Sequence, residues 1–232
     1  ETREYQLDVP SGYQPGHAYR LVFAWHWLAG DYTDVVNGAW ASDGPYYGLK
    51  AQSGGDAIFV APRGTLQMFN GTMQRGWWNS NGADFALTDA LVERIESELC
   101  VDKSHVFSVG FSFGGMFSYA LGCARADVFR AIAPMSGSFT AGCDSSNPKP
   151  IAMWGAHGVN DSVVNISGGR SARDEFLARN GCTTNTTPTD PSPCVSYQGC
   201  ATGYPVTWCE WNGDHISAPF APSAIWNFFA QF

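Results

Sequence analysis

Positive charge is scarce: 13 lysines and arginines stand against 21 acidic residues in a chain of 232, a formal net charge of −8. With a pI of about 4.9, nothing in the sequence offers the basic footprint that nucleic acid or anionic lipid requires. Charge of either sign is sparse, at 15% of residues. The 44% hydrophobic and 14% aromatic content still excludes the polar composition of a disordered chain. No apolar run approaches the ~20 residues needed to cross a bilayer, so no membrane partner is expected. The first residues, ETREYQLDVP, have neither a basic nor an apolar leader region, and no signal peptide is read there. Metal-binding spacings are missing too: the seven cysteines form no C-x-x-C and the five histidines no H-x-x-x-H, which leaves a zinc site without support. There is no internal repeat and no linker, so residues 1–232 read as a single domain.

What is present suits a secreted, disulfide-bonded protein: seven cysteines, nine tryptophans, and Asn-x-Ser/Thr sequons at Asn70, Asn165 and Asn185. Apolar β-rich runs at Tyr5 to Val9, Tyr19 to Trp27, Asp56 to Ala61, His105 to Gly110, Arg130 to Met135, Ile151 to Ala156 and Pro205 to Trp211 predict strands. Helical periodicity falls between them. Phe85 to Leu99 sets Leu87, Leu91, Ile95 and Leu99 on one stripe, and shorter helices are predicted over Gly114 to Cys123, Arg170 to Ala178 and Ser223 to Phe229. Strands alternating with helices imply an α/β fold with a mostly parallel sheet. Residues 37–50, 64–82 and 181–204 break the alternation and read as long loops, the first two Gly-rich and aromatic.

The most informative hexapeptide is GFSFGG, Gly110 to Gly115. A G-x-S-x-G match alone is weak in a chain this rich in Gly and Ser, but here it follows the β-rich HVFSV and precedes the helical GMFSYALGC. That is the strand-turn-helix setting of a nucleophile elbow, which projects the Ser112 hydroxyl above the sheet. A serine needs a base to take its proton. In the order serine, acid, histidine, only His157 and His215 lie downstream of Ser112. His215 follows the last strand and precedes the C-terminal helix, the place from which a loop can bring an imidazole over the elbow. Asp161, a few residues past IAMWGAHG at the sheet's carboxyl edge, is the expected acid, with Asp144 second. His157 reads as a strand-end histidine that orients the acid loop. His26 ends an early strand and receives no role. Oxyanion donors are expected from the Phe113 amide and from the loop in WHWLAG, where Trp27 and Leu28 are the candidates and Leu28 is favoured.

The segments REYQLDVP, FAWHWLAG, YYGLKA, IFVAPRG, LCVD, GFSFGG, CARADVFRAIA, NISGGRSARD, NGC, GYPVTW, GDH and FAPSAIWNFF run along nearly the whole chain. Through them the sequence resembles the secreted fungal-type feruloyl esterases, within the polyhydroxybutyrate-depolymerase-like carbohydrate esterases. The resemblance implies an α/β-hydrolase fold and no cofactor. It also implies hydrolysis of hydroxycinnamoyl esters of plant cell-wall polysaccharide, with Ser112, Asp161 and His215 at the triad positions. Relatives usually carry a shorter loop in place of LQMFNGTMQRGWWN, so the pocket walls are this chain's own.

Aromatic residues near the site, Trp27, Tyr46, Trp77, Trp78 and Phe113, are the expected acyl-binding surface. An acetylxylan esterase, a polyester depolymerase and a non-catalytic carbohydrate-binding protein remain alternative readings. For the cysteines, a hairpin pairing VSYQ with PVTW sets Cys194 against Cys209. That leaves Cys182 for Cys200, in keeping with the resemblance. One bridge and one leftover thiol are expected among Cys100, Cys123 and Cys143.

Overall fold

The computed structural model describes residues 2–39, 43–139 and 148–232. In chain order the elements are β1 (Tyr5–Asp8), β2 (Tyr19–Trp25), α1 (Tyr32–Asn37), α2 (Leu49–Gln52), β3 (Ala57–Pro62), β4 (Thr65–Phe69), β5 (Thr72–Gly76) and α3 (Ala83–Glu98). There follow β6 (Val101–Phe111), α4 (Phe113–Ala124), β7 (Ala131–Met135), β8 (Ala152–Gly158), α5 (Ile166–Arg179), β9 (Thr186–Pro188), β10 (Cys194–Tyr197), β11 (Val206–Trp211) and α6 (Ala221–Phe229). Among the described residues, nine strands form one sheet in the order β1-β3-β2-β6-β7-β8-β11-β10-β9. The six strands from β3 to β11 are parallel, and the edges β1, β10 and β9 pair antiparallel. Among the described residues, no helix is long and apolar enough to cross a membrane.

The parallel strands are buried on both faces, as crossover helices require. Along β2, Val22 and Ala24 join one core cluster while Leu21, Phe23 and Trp25 join the other. The period of two divides a continuous apolar run between two layers. On the first face lie Val35 of α1, Leu49 of α2, and Ile225, Phe228 and Phe229 of α6. On the second lie Leu91 and Ile95 of α3, Phe117 and Leu121 of α4, and Phe176 of α5. The stripe expected on α3 is there, with Leu87 and Leu99 packing at its margins.

Two of the three expected long loops contain regular structure. Residues 64–82 include the antiparallel hairpin β4–β5, which turns through Asn70 and Gly71, both at positive φ. Asn-Gly is the signature of a two-residue hairpin turn, but the strands around it are not apolar enough to read as buried from the sequence. Residues 181–204 hold β9 and β10, where Cys194 lies opposite Cys209. Disulfides join Cys194 to Cys209 and Cys182 to Cys200. Cys123 is disulfide-bonded, and Cys100 is a free thiol. Cys143 and Asp144 lie outside the described residues.

Candidate active site

Ser112 stands between β6 and α4 with φ 55 and ψ −119, an arrangement that L-residues rarely adopt and that costs about 1–3 kcal/mol. The surrounding structure holds it there. The Ser112 N–H donates to Met135 O at 2.9 Å, and the turn brings α4 hard against β2. A Cβ on Gly114 would sit 2.1 Å from Trp25 O, so only glycine allows the helix to approach this closely.

Asp161 and His215 come from the loops after β8 and β11, neighbouring strands in the sheet. Ser112 Oγ–H donates to His215 Nε2 at 2.9 Å, and His215 Nδ1–H donates to Asp161 Oδ2 at 2.8 Å. All three residues are 8% exposed. The other Asp161 oxygen accepts the amides of Val163 at 3.0 Å and Val164 at 2.7 Å, which leaves Oδ2 aimed at the imidazole. His157 is fully buried. Its Nε2–H donates to Val164 O at 2.8 Å and lies 3.2 Å from Asp161 Oδ2, so it braces the acid loop from below. Burial pushes its pKa below the ordinary histidine value.

Asp214 does not bond the His215 ring; it links the two loops. Its Oδ1 accepts from Ser162 N–H at 2.8 Å, Ser162 Oγ–H at 2.9 Å and His215 N–H at 2.7 Å. These donors, the Ser162 amide first, hold the Asp214 carboxyl below its usual range. No sequence signal marks such a strut, because its partner is 52 residues away.

A cleft of about 550 Å³ opens above Ser112, lined by Leu28, Phe69, Asn70, Trp77, Trp78, Phe113, Met116, Val163 and Val164. It falls within the ~300–1,000 Å³ usual for small-molecule sites. Hairpin β4–β5 supplies one wall, where Phe69 packs on Trp78 at 5.4 Å and Trp78 meets Phe113 edge-on at 4.8 Å. The acid loop supplies the opposite wall through Val163 and Val164. Leu28 and Phe113, the expected oxyanion residues, both line the cleft beside Ser112. The Phe113 amide lies in the first turn of α4, where no acceptor exists within the helix.

Two aromatic expectations need correction, and a third holds in part. Tyr46 is fully buried and packs on Phe59 at 4.9 Å in the core, away from the cleft. Trp27 is half-buried, packs on the core and meets Phe111 at 6.5 Å, and it is not part of the cleft lining. Trp77 touches the cleft but is 3% exposed. Its ring stacks on Phe117 and its Nε1–H donates to His26 O at 2.8 Å. Tyr46 belongs to the core, Trp27 packs half-exposed at its margin, and Trp77 is a core aromatic with one edge on the cleft; nearness to the motif in the sequence does not separate these cases. Of the sequons, Asn70 is exposed at the hairpin tip, Asn165 caps α5 by accepting Ser167 N–H at 2.9 Å, and Asn185 is exposed.

The hydrogen-bonded arrangement of Ser112, His215 and Asp161 is now joined by sequence kinship. The chain is 43% identical over 238 residues to a probable feruloyl esterase C of Aspergillus terreus, covering 98% of this chain and 83% of that protein. The chain belongs to the feruloyl esterase family. It is 42% identical to feruloyl esterase C of Emericella nidulans, over 98% of this chain and 83% of that one. It is 36% identical to feruloyl esterase D of Neurospora crassa, over 100% of this chain and 83% of that one. No protein-family model matches the chain. Among solved structures, the acetyl xylan esterase from Aspergillus awamori superimposes with a TM-score of 0.72 at 16% identity, over 97% of this chain and 93% of that one. Esterase PE8 does so with a TM-score of 0.68 at 17% identity, over 100% and 99%. The fold of this feruloyl esterase relative is thus that of the α/β-hydrolases, and the chain is a carboxylic ester hydrolase.

Proposed function

We infer that the chain is a secreted serine esterase, one catalytic domain over residues 1–232, that cleaves feruloyl and coumaroyl esters of plant cell-wall polysaccharide through an acyl-enzyme. The observation that carries this reading is the hydrogen-bonded series Ser112, His215, Asp161 at the floor of an aromatic cleft. As Ser112 Oγ attacks the ester carbonyl carbon, its proton passes to His215 Nε2, and Asp161 stabilises the imidazolium through Nδ1–H. The carbonyl oxygen, now negative, faces the amides of Phe113 and Leu28. Collapse breaks the bond to the sugar oxygen, which takes the proton from His215. Water then repeats the sequence on the acyl-enzyme and releases the acid. A named side chain moves every proton, so the scheme calls for no cofactor.

The names of the relatives support the acyl group, and so does the lining. A planar aryl ring between Phe69, Trp78, Phe113 and Val163 gains apolar contact that acetate lacks, about 25 cal/mol for each Å² removed from water. Esters of ferulate or coumarate are expected to exceed the acetate of a matched alcohol at least tenfold in kcat/KM, since each ~1.4 kcal/mol retained in the transition state is a factor of ten. A panel of methyl ferulate, methyl acetate, acetylxylan and a polyester emulsion tests this. Equal or faster turnover of acetylxylan would replace this reading with an acetyl esterase. Secretion is supported by the disulfides, and glycosylation at Asn70, Asn165 and Asn185 is the accompanying expectation.

A further inference from the structure

Hairpin β4–β5 turns at the mouth of the cleft, and its tip reads Asn70-Gly71-Thr72, an acceptor sequence for N-linked glycan. Turn geometry accounts for the first two residues. Asn70 and Gly71 stand at φ 48 and 80, the left-handed pair that a two-residue hairpin turn demands. It does not account for the third. Thr72 is exposed, and its hydroxyl donates to Phe69 O at 3.3 Å and accepts from Gln74 Nε2–H at 3.0 Å, bonds that stay within the hairpin. The other acceptor sequences are placed differently. Asn185 is exposed next to β9, the edge strand of the sheet. Asn165 turns its Oδ1 to the cap of α5. A further sequon, Asn160-Asp161-Ser162, commits Asn160 Nδ2–H, the group that a glycan would replace, to Asn212 Oδ1 at 2.8 Å. Of these asparagines, only Asn70 lines the cleft.

Apart from Ser112 and Asn70, the lining is apolar or aromatic, and Asn70 follows Phe69, a wall of the acyl site. A cleft of about 550 Å³ has the size of a small-ligand site. It takes the aryl acyl group, while the polysaccharide that bears the ester lies across the mouth, beside residue 70. We propose that Asn70 carries an N-linked glycan that acts as a size filter on the leaving alcohol. Esters of small alcohols pass it, and esters on long polysaccharide chains must push it aside. The inference rests on the serine-esterase reading above. Attachment joins Asn70 Nδ2 to the anomeric carbon of the first sugar. The bond broken is that carbon's link to the pyrophosphate of a polyprenyl-pyrophosphate oligosaccharide, the donor used in secretion, and the amide gives up one proton. Such a glycan is bulky and hydrated. It hangs from an exposed tip, so it has conformational freedom that a bound polymer must restrict, and that cost falls on binding rather than on the chemical step.

The test compares the chain secreted from a fungal host that N-glycosylates with the same chain made in a bacterial periplasm. Peptide mapping of the secreted protein should find glycan on Asn70, and an unmodified Asn70 overturns the proposal. Three forms lack the full glycan there: Thr72→Ala from the fungal host, the parent from bacteria, and the secreted parent trimmed by an endoglycosidase to one N-acetylglucosamine. Each is expected to gain about fivefold or more in kcat/KM on soluble feruloylated arabinoxylan, through a lower KM, while methyl ferulate stays within about twofold. Thr72→Ser keeps the acceptor sequence and should behave as the secreted parent. Made in bacteria, Thr72→Ala should match its parent on both substrates; a difference there would assign the effect to the hairpin itself and overturn the proposal. So would polymer turnover that removal leaves unchanged or lowers, an equal gain on both substrates, or the same gain from Asn185→Gln. If no form hydrolyses methyl ferulate, the esterase reading fails and the filter with it, whereas hydrolysis without a polymer effect overturns the filter alone.

Discussion

The two walls of the cleft are held in different ways. On the acid side, the loop after β8 and the loop after β11 are cross-linked by Asp161, His157 and Asp214, which together accept or donate bonds to Val163, Val164, Ser162 and His215. On the hairpin side, β4 and β5 pair with each other and are tied down mainly at the base. There Arg75 donates to Gly64 O at 2.9 Å and lies 3.2 Å from Asp31. Leu66, Met68 and Met73 share the outer face of the hairpin, 49%, 66% and 56% exposed. A two-stranded hairpin has little stability of its own, so this wall should yield to a substrate more readily than the other. The difference predicts that substitutions on the acid side and at the elbow act on kcat, and those on the hairpin act on KM.

The largest effect should come from the elbow and its base. Ser112→Ala and His215→Ala are each expected to lower kcat by about 10⁴-fold or more, and the double variant to be little worse, because members of a relay act as a unit. Losses that multiply in the double variant would contradict the assignment. Asp161→Ala should lose less than either and more than Asp144→Ala, and the reverse order would move the acid to Asp144.

On the opposite wall, Phe69→Ala and Trp78→Ala should raise KM for methyl ferulate roughly tenfold, as expected for ~1.4 kcal/mol of lost apolar contact, while kcat stays within a factor of three. Turnover of a matched acetate should not change. A fall in kcat with constant KM would mean that the hairpin belongs to the rigid side after all.

Stability should depend on pH through two fully buried histidines, one on each side of the cleft. His26 and His157 both have lowered pKa values because burial disfavours the charged ring, His26 at about 4. The unfolded chain therefore binds protons that the folded chain does not as pH falls from ~6.5 toward 4. Stability is fully present above that window and declines through it, by up to about 1.4 kcal/mol per pH unit for each such histidine. Urea midpoints at pH 7, 6 and 5 measure this, and His26→Gln should flatten the slope. A midpoint constant across the window would show that these rings titrate normally. The smallest effect belongs to the outer face of the hairpin, where Met68→Ser should shift stability by less than about 0.5 kcal/mol. A larger loss would reveal packing that its exposure denies.

Much of this molecule is set by local pattern. Strand and helix positions follow from apolar runs and periodicity, and GFSFGG announces a strand-turn-helix because the residues that make a tight turn are contiguous. The order Ser112, Asp161, His215 could be read because each follows a strand, and strand ends lie along one edge of a parallel sheet. The pairing of Cys194 with Cys209 is likewise a matter of hairpin register. Tertiary structure decided what depends on residues brought together from afar. Tyr46 and Trp77 are aromatic in the sequence with no sign of which way they face, and only the packing of two core layers turns them inward. His26 looked idle beside its own strand. It is fully buried and accepts the N–H of Gly64, 38 residues on, and Asp214 joins two loops whose contact no local rule foretells. Hydrogen bonds between distant loops leave no periodicity in the chain, which is why the turn that carries Ser112 is legible in the sequence and the groups that brace the loops around it are not.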